Sequence, residues 1–141
     1  TTYDACRLVN PASGGNNRPC GDFLDLHNYP APDMFLFDPK RVNVLGEYGG
    51  IGLPVENHLW WNKRNWGYVQ FKNSDEVTAE YVKYANILKD YVKRGFSAAV
   101  YTQTTDVEGE VNGLMTFVRK VIKIDEAAVK KANQSVINEL K

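Results

Sequence analysis

Six polar residues, Asn16, His27, Tyr29, Glu47, Gln103 and Asp106, sit where short apolar runs give way to turn formers. Glu47 is the most suggestive of them. A glutamate at a strand end, flanked by Gly46, Gly49 and Gly50, has a fixed position and room for a ligand to approach. Hydrolysis of a glycosidic bond needs one carboxyl group to protonate the leaving oxygen and a second to act as nucleophile or base. Glu47 supplies one such carboxyl. Trp60, Trp61 and Trp66 are interleaved with Asn57, His58, Asn62 and Asn65. Their flat apolar faces, with amides and an imidazole between them, match the C–H faces and hydroxyl rim of a sugar. The plainer alternatives are a solvated strand-end acid and tryptophans that pack a long loop onto its scaffold.

Other chemistries find less support in the residues. His27 and His58 lack the paired spacing of metal ligands. Asp106, Glu108 and Glu110 alternate near a turn without the rest of a calcium loop. Neither a metal nor a cofactor is expected. The Gly-Gly pairs at 14–15 and 49–50 are not followed by the Gly-Lys-Ser/Thr of a phosphate cradle. No Gly-x-Ser-x-Gly elbow or thiol-protease flank is present, so neither serine nor cysteine hydrolysis has motif support. Cys6 and Cys20 fit no zinc or redox pattern and are expected as free thiols, which leaves the compartment open. Seventeen basic residues balance seventeen acidic ones, so no electrostatic footprint for nucleic acid or an acidic membrane face exists. A neutral carbohydrate partner suits that balance. No apolar run approaches the roughly 20 residues that span a bilayer, and Thr1 to Ala5 lack the features of a signal peptide.

The elements that must position these residues follow from periodicity and breakers. Short strands are expected over Ala5 to Val9, Phe23 to Tyr29, Arg41 to Tyr48 and, as a buried strand, Phe96 to Thr102. Clusters of Asn, Gly, Pro and Asp separate them. The stretch from Gly52 to Lys72 has no clear period and reads as a long structured excursion over an opening. Asn73 and Glu76 fit a capping box ahead of Val77, Tyr81, Tyr84, Ala85, Leu88 and Val92, with Gly95 as the stop. Asp125 caps a last helix whose Val129, Ala132, Val136, Ile137 and Leu140 form a stripe. Strands, polar loops and helices in this order indicate an α/β fold with a parallel sheet, whose sites gather at C-terminal strand ends. At 141 residues, with 43% hydrophobic and 12% aromatic content, the chain suits one globular unit.

Four segments carry a resemblance to a known family. They are Arg7 to Gly15 (RLVNPASGG), Asp25 to Pro30 (DLHNYP), Leu45 to Gly50 (LGEYGG) and Tyr101 to Leu114 (YTQTTDVEGEVNGL). In this order they resemble glycoside hydrolase family 2, the β-galactosidase and β-glucuronidase group. The resemblance implies the C-terminal half, about strands five to eight, of a TIM (β/α)8 barrel, since a whole barrel takes about 250 residues. It implies that Glu47, in the Glu-Tyr pair, is the nucleophile of a retaining β-glycosidase. It also implies that His27 and Tyr29, Tyr48, and Tyr101, Gln103 and Asp106 bind substrate, beside Trp60 and Trp61 of the long loop. The family's acid/base lies in an Asn-Glu pair on strand four, and the only Asn-Glu here, Asn138-Glu139, falls inside the last helix. Phe117-Val118-Arg119-Lys120 stands where relatives read Tyr-Asp-Arg-Lys. Without the acid/base, the chain is expected to be nearly inactive alone. Half a barrel also leaves open edges, so self-association is expected.

Overall fold

The computed structural model describes residues 6–140. Its elements are β1 (Phe23–His27), β2 (Val42–Gly49), β3 (Ile51–Gly52), β4 (Val69–Gln70), α1 (Ser74–Lys93), β5 (Phe96–Thr102) and α2 (Glu126–Asn138). The main sheet has the order β1-β2-β5 and is parallel throughout; β3 and β4 form a separate parallel pair. β2 is the centre, with β1 on one edge and β5 on the other, and its Val42, Val44 and Tyr48 are residues that favour a strand.

One face of this sheet is apolar. Leu24, Leu26 and Leu45 are fully buried, with Val77, Tyr81, Tyr84 and Leu88 of α1 in the same core cluster. Each such leucine contributes about 1.5–3 kcal/mol by leaving water. The α1 start is fixed as the sequence indicates: the Asn73 side chain accepts from the Glu76 N–H, and the Glu76 carboxylate accepts from the Lys72 N–H at 2.9 Å. Asp125 caps α2 in the same manner through the Ala128 N–H.

The half-barrel expectation is overturned. Instead of four β/α units, the described residues make five strands in two parallel sheets and two helices, a small α/β domain. One physical reason is plain in the chain. Between β1 and β2, Pro30, Pro32 and Pro39 interrupt the chain and no helix forms. The strand expected at Ala5 to Val9 is also missing: Ala5 lies outside the described residues, and residues 6–9 form no strand. Val9 only exchanges two bonds with Asp22, one to the backbone and one to its carboxylate.

Three narrower expectations change as well. β5 is not a buried strand along its length: Phe96 enters the core, but Ser97 to Val100 are exposed, because β5 is the sheet edge and pairs only with β2. Of the α2 stripe, Val129 and Ala132 are buried and Val136 is partly buried, while Ile137 and Leu140 remain in solvent. The excursion from Gly52 to Lys72 is tied down at its two ends by the β3–β4 pair. Trp66 and Val111 stitch its middle to the loop after β5, through Trp66 N–H to Gly109 O and Val111 N–H to Trp66 O.

Candidate functional site

At the C-terminal ends of β1 and β2 the strand register sets His27 opposite Glu47. The Tyr29 hydroxyl donates to Glu47 Oε2 at 2.6 Å, and His27 Nδ1 lies 3.4 Å from the same oxygen. On the other side of the imidazole, Ser13 Oγ is 2.7 Å from His27 Nε2. Three residues distant in sequence thus form one chain of contacts ending on a carboxylate that is 43% exposed. Burial, and then the bond to Glu47, raise the Tyr29 phenol above its ordinary value. Tyr29 therefore keeps its proton and donates to Glu47 throughout the neutral range.

Backbone bonds lock this corner. The Asn28 N–H donates to Glu47 O, the Gly49 N–H to Pro30 O and the Gly50 N–H to Thr102 O. Tyr29 stacks on Tyr68 with ring centroids 3.9 Å apart, and Trp66 meets Tyr68 edge-on. Burial, and then the charges of Glu110 and Glu47, raise the Tyr68 phenol above its ordinary value. The long loop thereby delivers an aromatic wall to the side of Glu47.

The glycines around Glu47 do not hold space for a ligand. A Cβ at Gly46 would overlap Asp25 Oδ1, one at Gly49 (φ +111°) the Tyr101 ring, and one at Gly50 (φ +64°) the Tyr68 ring. The room they leave is filled by this chain's own side chains. Asp25 is buried, accepts from Asn10 Nδ2 at 2.6 Å through one oxygen, and leaves the other without a partner.

The remaining sequence candidates separate from Glu47. Tyr48 is buried against Tyr84 and Tyr101 on the helix side, where it packs the core. Tyr101 donates to Asn112 O at 3.3 Å, and Gln103 Nε2 donates to Asn112 Oδ1 at 2.9 Å, so both brace the loop after β5. Asp106 is buried and paired with Lys123, whose ammonium donates to Asp106 Oδ1, Leu53 O and Val111 O. Burial holds the Asp106 carboxyl above its usual range and the Lys123 ammonium below its own, against the attraction between them. Trp60 and Trp61 are exposed, with Trp60 tilted on Phe117. Cys6 and Cys20 form no disulfide. Among the described residues, no group of three His, Cys, Asp or Glu side chains could hold a metal ion. No helix among the described residues is long and apolar enough to cross a membrane.

Sequence reading missed Ser13, Tyr68 and Lys123. The signal for Lys123 was a lone cation inside Val121-Ile122-Lys123-Ile124. Asp25 in Phe23-Leu24-Asp25-Leu26 carries the same mark, since a charge within an apolar run is buried only with partners. Ser13 had no such mark. No family model matches the chain, and no curated protein matches it either. The family resemblance therefore rests on the four motifs alone.

Proposed function

We propose that this chain carries the nucleophile side of a retaining β-glycosidase of β-galactosidase type, with Glu47 attacking the anomeric carbon of an O-glycoside. The observation that supports it is the 2.6 Å bond from the Tyr29 hydroxyl to Glu47 Oε2 at the end of the central parallel strand. A phenol that stays protonated orients the carboxylate and stabilises its charge before attack. His27 and the aromatic wall of Tyr29, Tyr68 and Trp66 would receive the sugar. A retaining mechanism needs a second carboxyl about 5–5.5 Å away, supplied from outside this group of residues. The chain alone therefore turns over natural glycosides poorly.

An activated leaving group needs no protonation, so the nucleophile can be tested without its partner. The chain is incubated with dinitrophenyl fluoro-β-galactoside and the corresponding glucuronide, and adducts are located by peptide mapping. A glycosyl group on Glu47, absent in Glu47→Gln, supports the reading and identifies the sugar. No adduct, or one that survives Glu47→Gln, defeats it.

A second reading is a non-catalytic carbohydrate-binding unit, favoured by the exposure of Trp60, Trp61 and Trp66 at 59%, 48% and 44%. Oligosaccharide binding that is lost on tryptophan substitution and indifferent to Glu47→Gln would select it.

A further inference from the structure

The absence of a serine-hydrolase motif in the sequence contrasts with what the fold assembles. Such sites are recognised by geometry and roles, since the same constellation recurs in unrelated chain orders. Ser13 Oγ lies 2.7 Å from His27 Nε2, inside the hydrogen-bond reach that a nucleophile and its base require. On the far side of the ring, His27 Nδ1 lies 3.4 Å from Glu47 Oε2, a separation typical of an orienting contact before substrate tightens it. With the ring proton on Nδ1 facing Glu47, Nε2 is left as the acceptor for the Ser13 O–H. Ser13 is exposed, as a nucleophile must be, while His27 is partly sheltered.

The residues after Ser13 complete the arrangement. Gly14 is buried at φ +81°, and a Cβ there would come within 3.2 Å of His27 Nδ1, so only glycine lets the loop press Ser13 against the imidazole. A Cβ at Gly15 would meet nothing within 4 Å. Among the described residues, the N–H groups of Gly14 and Gly15 donate to no acceptor. They follow the nucleophile directly in the chain, and a developing oxyanion needs such donors.

We infer that Ser13, His27 and Glu47 form a serine-hydrolase triad acting on small acyl esters, such as an acetylated sugar hydroxyl. Ser13 Oγ bonds to the acyl carbon as its proton passes to His27 Nε2, and Gly14 and Gly15 hold the oxyanion. Collapse breaks the bond to the alkoxy group, which takes the proton from Nε2 and leaves as the alcohol. Water then gives a proton to Nε2 and attacks the acyl-serine. Breakdown returns that proton to Ser13 Oγ and releases the carboxylic acid. Glu47 acts here as a positioning residue through His27. The stacked Tyr29 and Tyr68 rings beside Glu47 offer a flat face to the sugar alcohol.

This activity needs no second carboxyl, so it stands or falls separately from glycoside cleavage. The test uses the 141-residue chain with nitrophenyl acetate and a fluorophosphonate probe, mapping the labelled peptide. The expected result is a single adduct on Ser13 and ester hydrolysis that drops to the buffer rate in Ser13→Ala. His27→Gln is expected to slow hydrolysis by about 100-fold or more. The inference is overturned by an intact chain that hydrolyses no ester, by a label on another residue, or by hydrolysis that survives Ser13→Ala. Should Ser13→Ala fail to fold by circular dichroism, the position of the label on the unsubstituted chain decides alone.

Discussion

Two side chains concentrate the consequences at the scale of single residues. The Tyr29 hydroxyl is the closest donor to Glu47, at 2.6 Å, and a hydrogen bond to a charged group contributes about 1.5–3 kcal/mol. Tyr29→Phe keeps the ring that stacks on Tyr68 and removes only the donor. Covalent labelling of Glu47 by the activated glycoside should then slow by roughly tenfold or more, while circular dichroism shows the fold kept. Lys123 presents the opposite case, a fully buried cation that satisfies a carboxylate and two carbonyls. Lys123→Met strands Asp106 in the interior and should cost about 3–5 kcal/mol, read by urea unfolding. The double variant with Asp106→Asn should recover part of that loss, because the uncompensated charge is then gone.

The helices and strands owe their limits to particular caps and turns. Asn73 accepts from the Glu76 N–H at the start of α1, and Asn73→Ala should lower stability by about 1 kcal/mol, seen as a lower melting temperature. The entry to β2 depends on Asp38, which accepts from the Lys40 N–H and pairs with Arg41. The Lys40 N–H first, and then the Arg41 guanidinium, hold the Asp38 carboxyl below its ordinary 3.8. A lowered carboxyl pKa gives a contribution that is present above the unfolded value and is lost as pH falls through the folded one. Asp38→Asn should therefore flatten the fall in melting temperature on the acid side of 3.8, and leave the profile above it parallel to that of the unsubstituted chain.

For the molecule as a whole, the exposed edge matters most. β5 pairs with β2 on one side only, which leaves its outer edge open among the described residues, and Val100 is 54% exposed. Parallel sheets are normally covered on both faces and avoid bare edges. The chain is expected to associate with increasing concentration in sedimentation velocity, and Val100→Lys should shift it toward monomer by charging the edge. A single monomeric species at every concentration would show that the edge is not adhesive.

By itself the sequence determined what depends on neighbours along the chain. The caps at Asn73 and Asp125, the stop at Gly95, the strands around β1, β2 and β5, and the strand-end position of Glu47 all follow from spacing and local hydrogen bonding. Only the tertiary structure decided what depends on meetings across the chain. It brought Ser13 to His27, placed Tyr68 over Tyr29, and turned Tyr48 and Asp106 inward. It also replaced the half barrel by a three-stranded sheet with a separate two-stranded pair. The reason is that periodicity records which face of an element is apolar but not which element will cover it. Both Ser97 to Val100, expected in a buried strand yet left exposed at the sheet edge, and Lys123, charged yet buried, take their environment from partners many residues away.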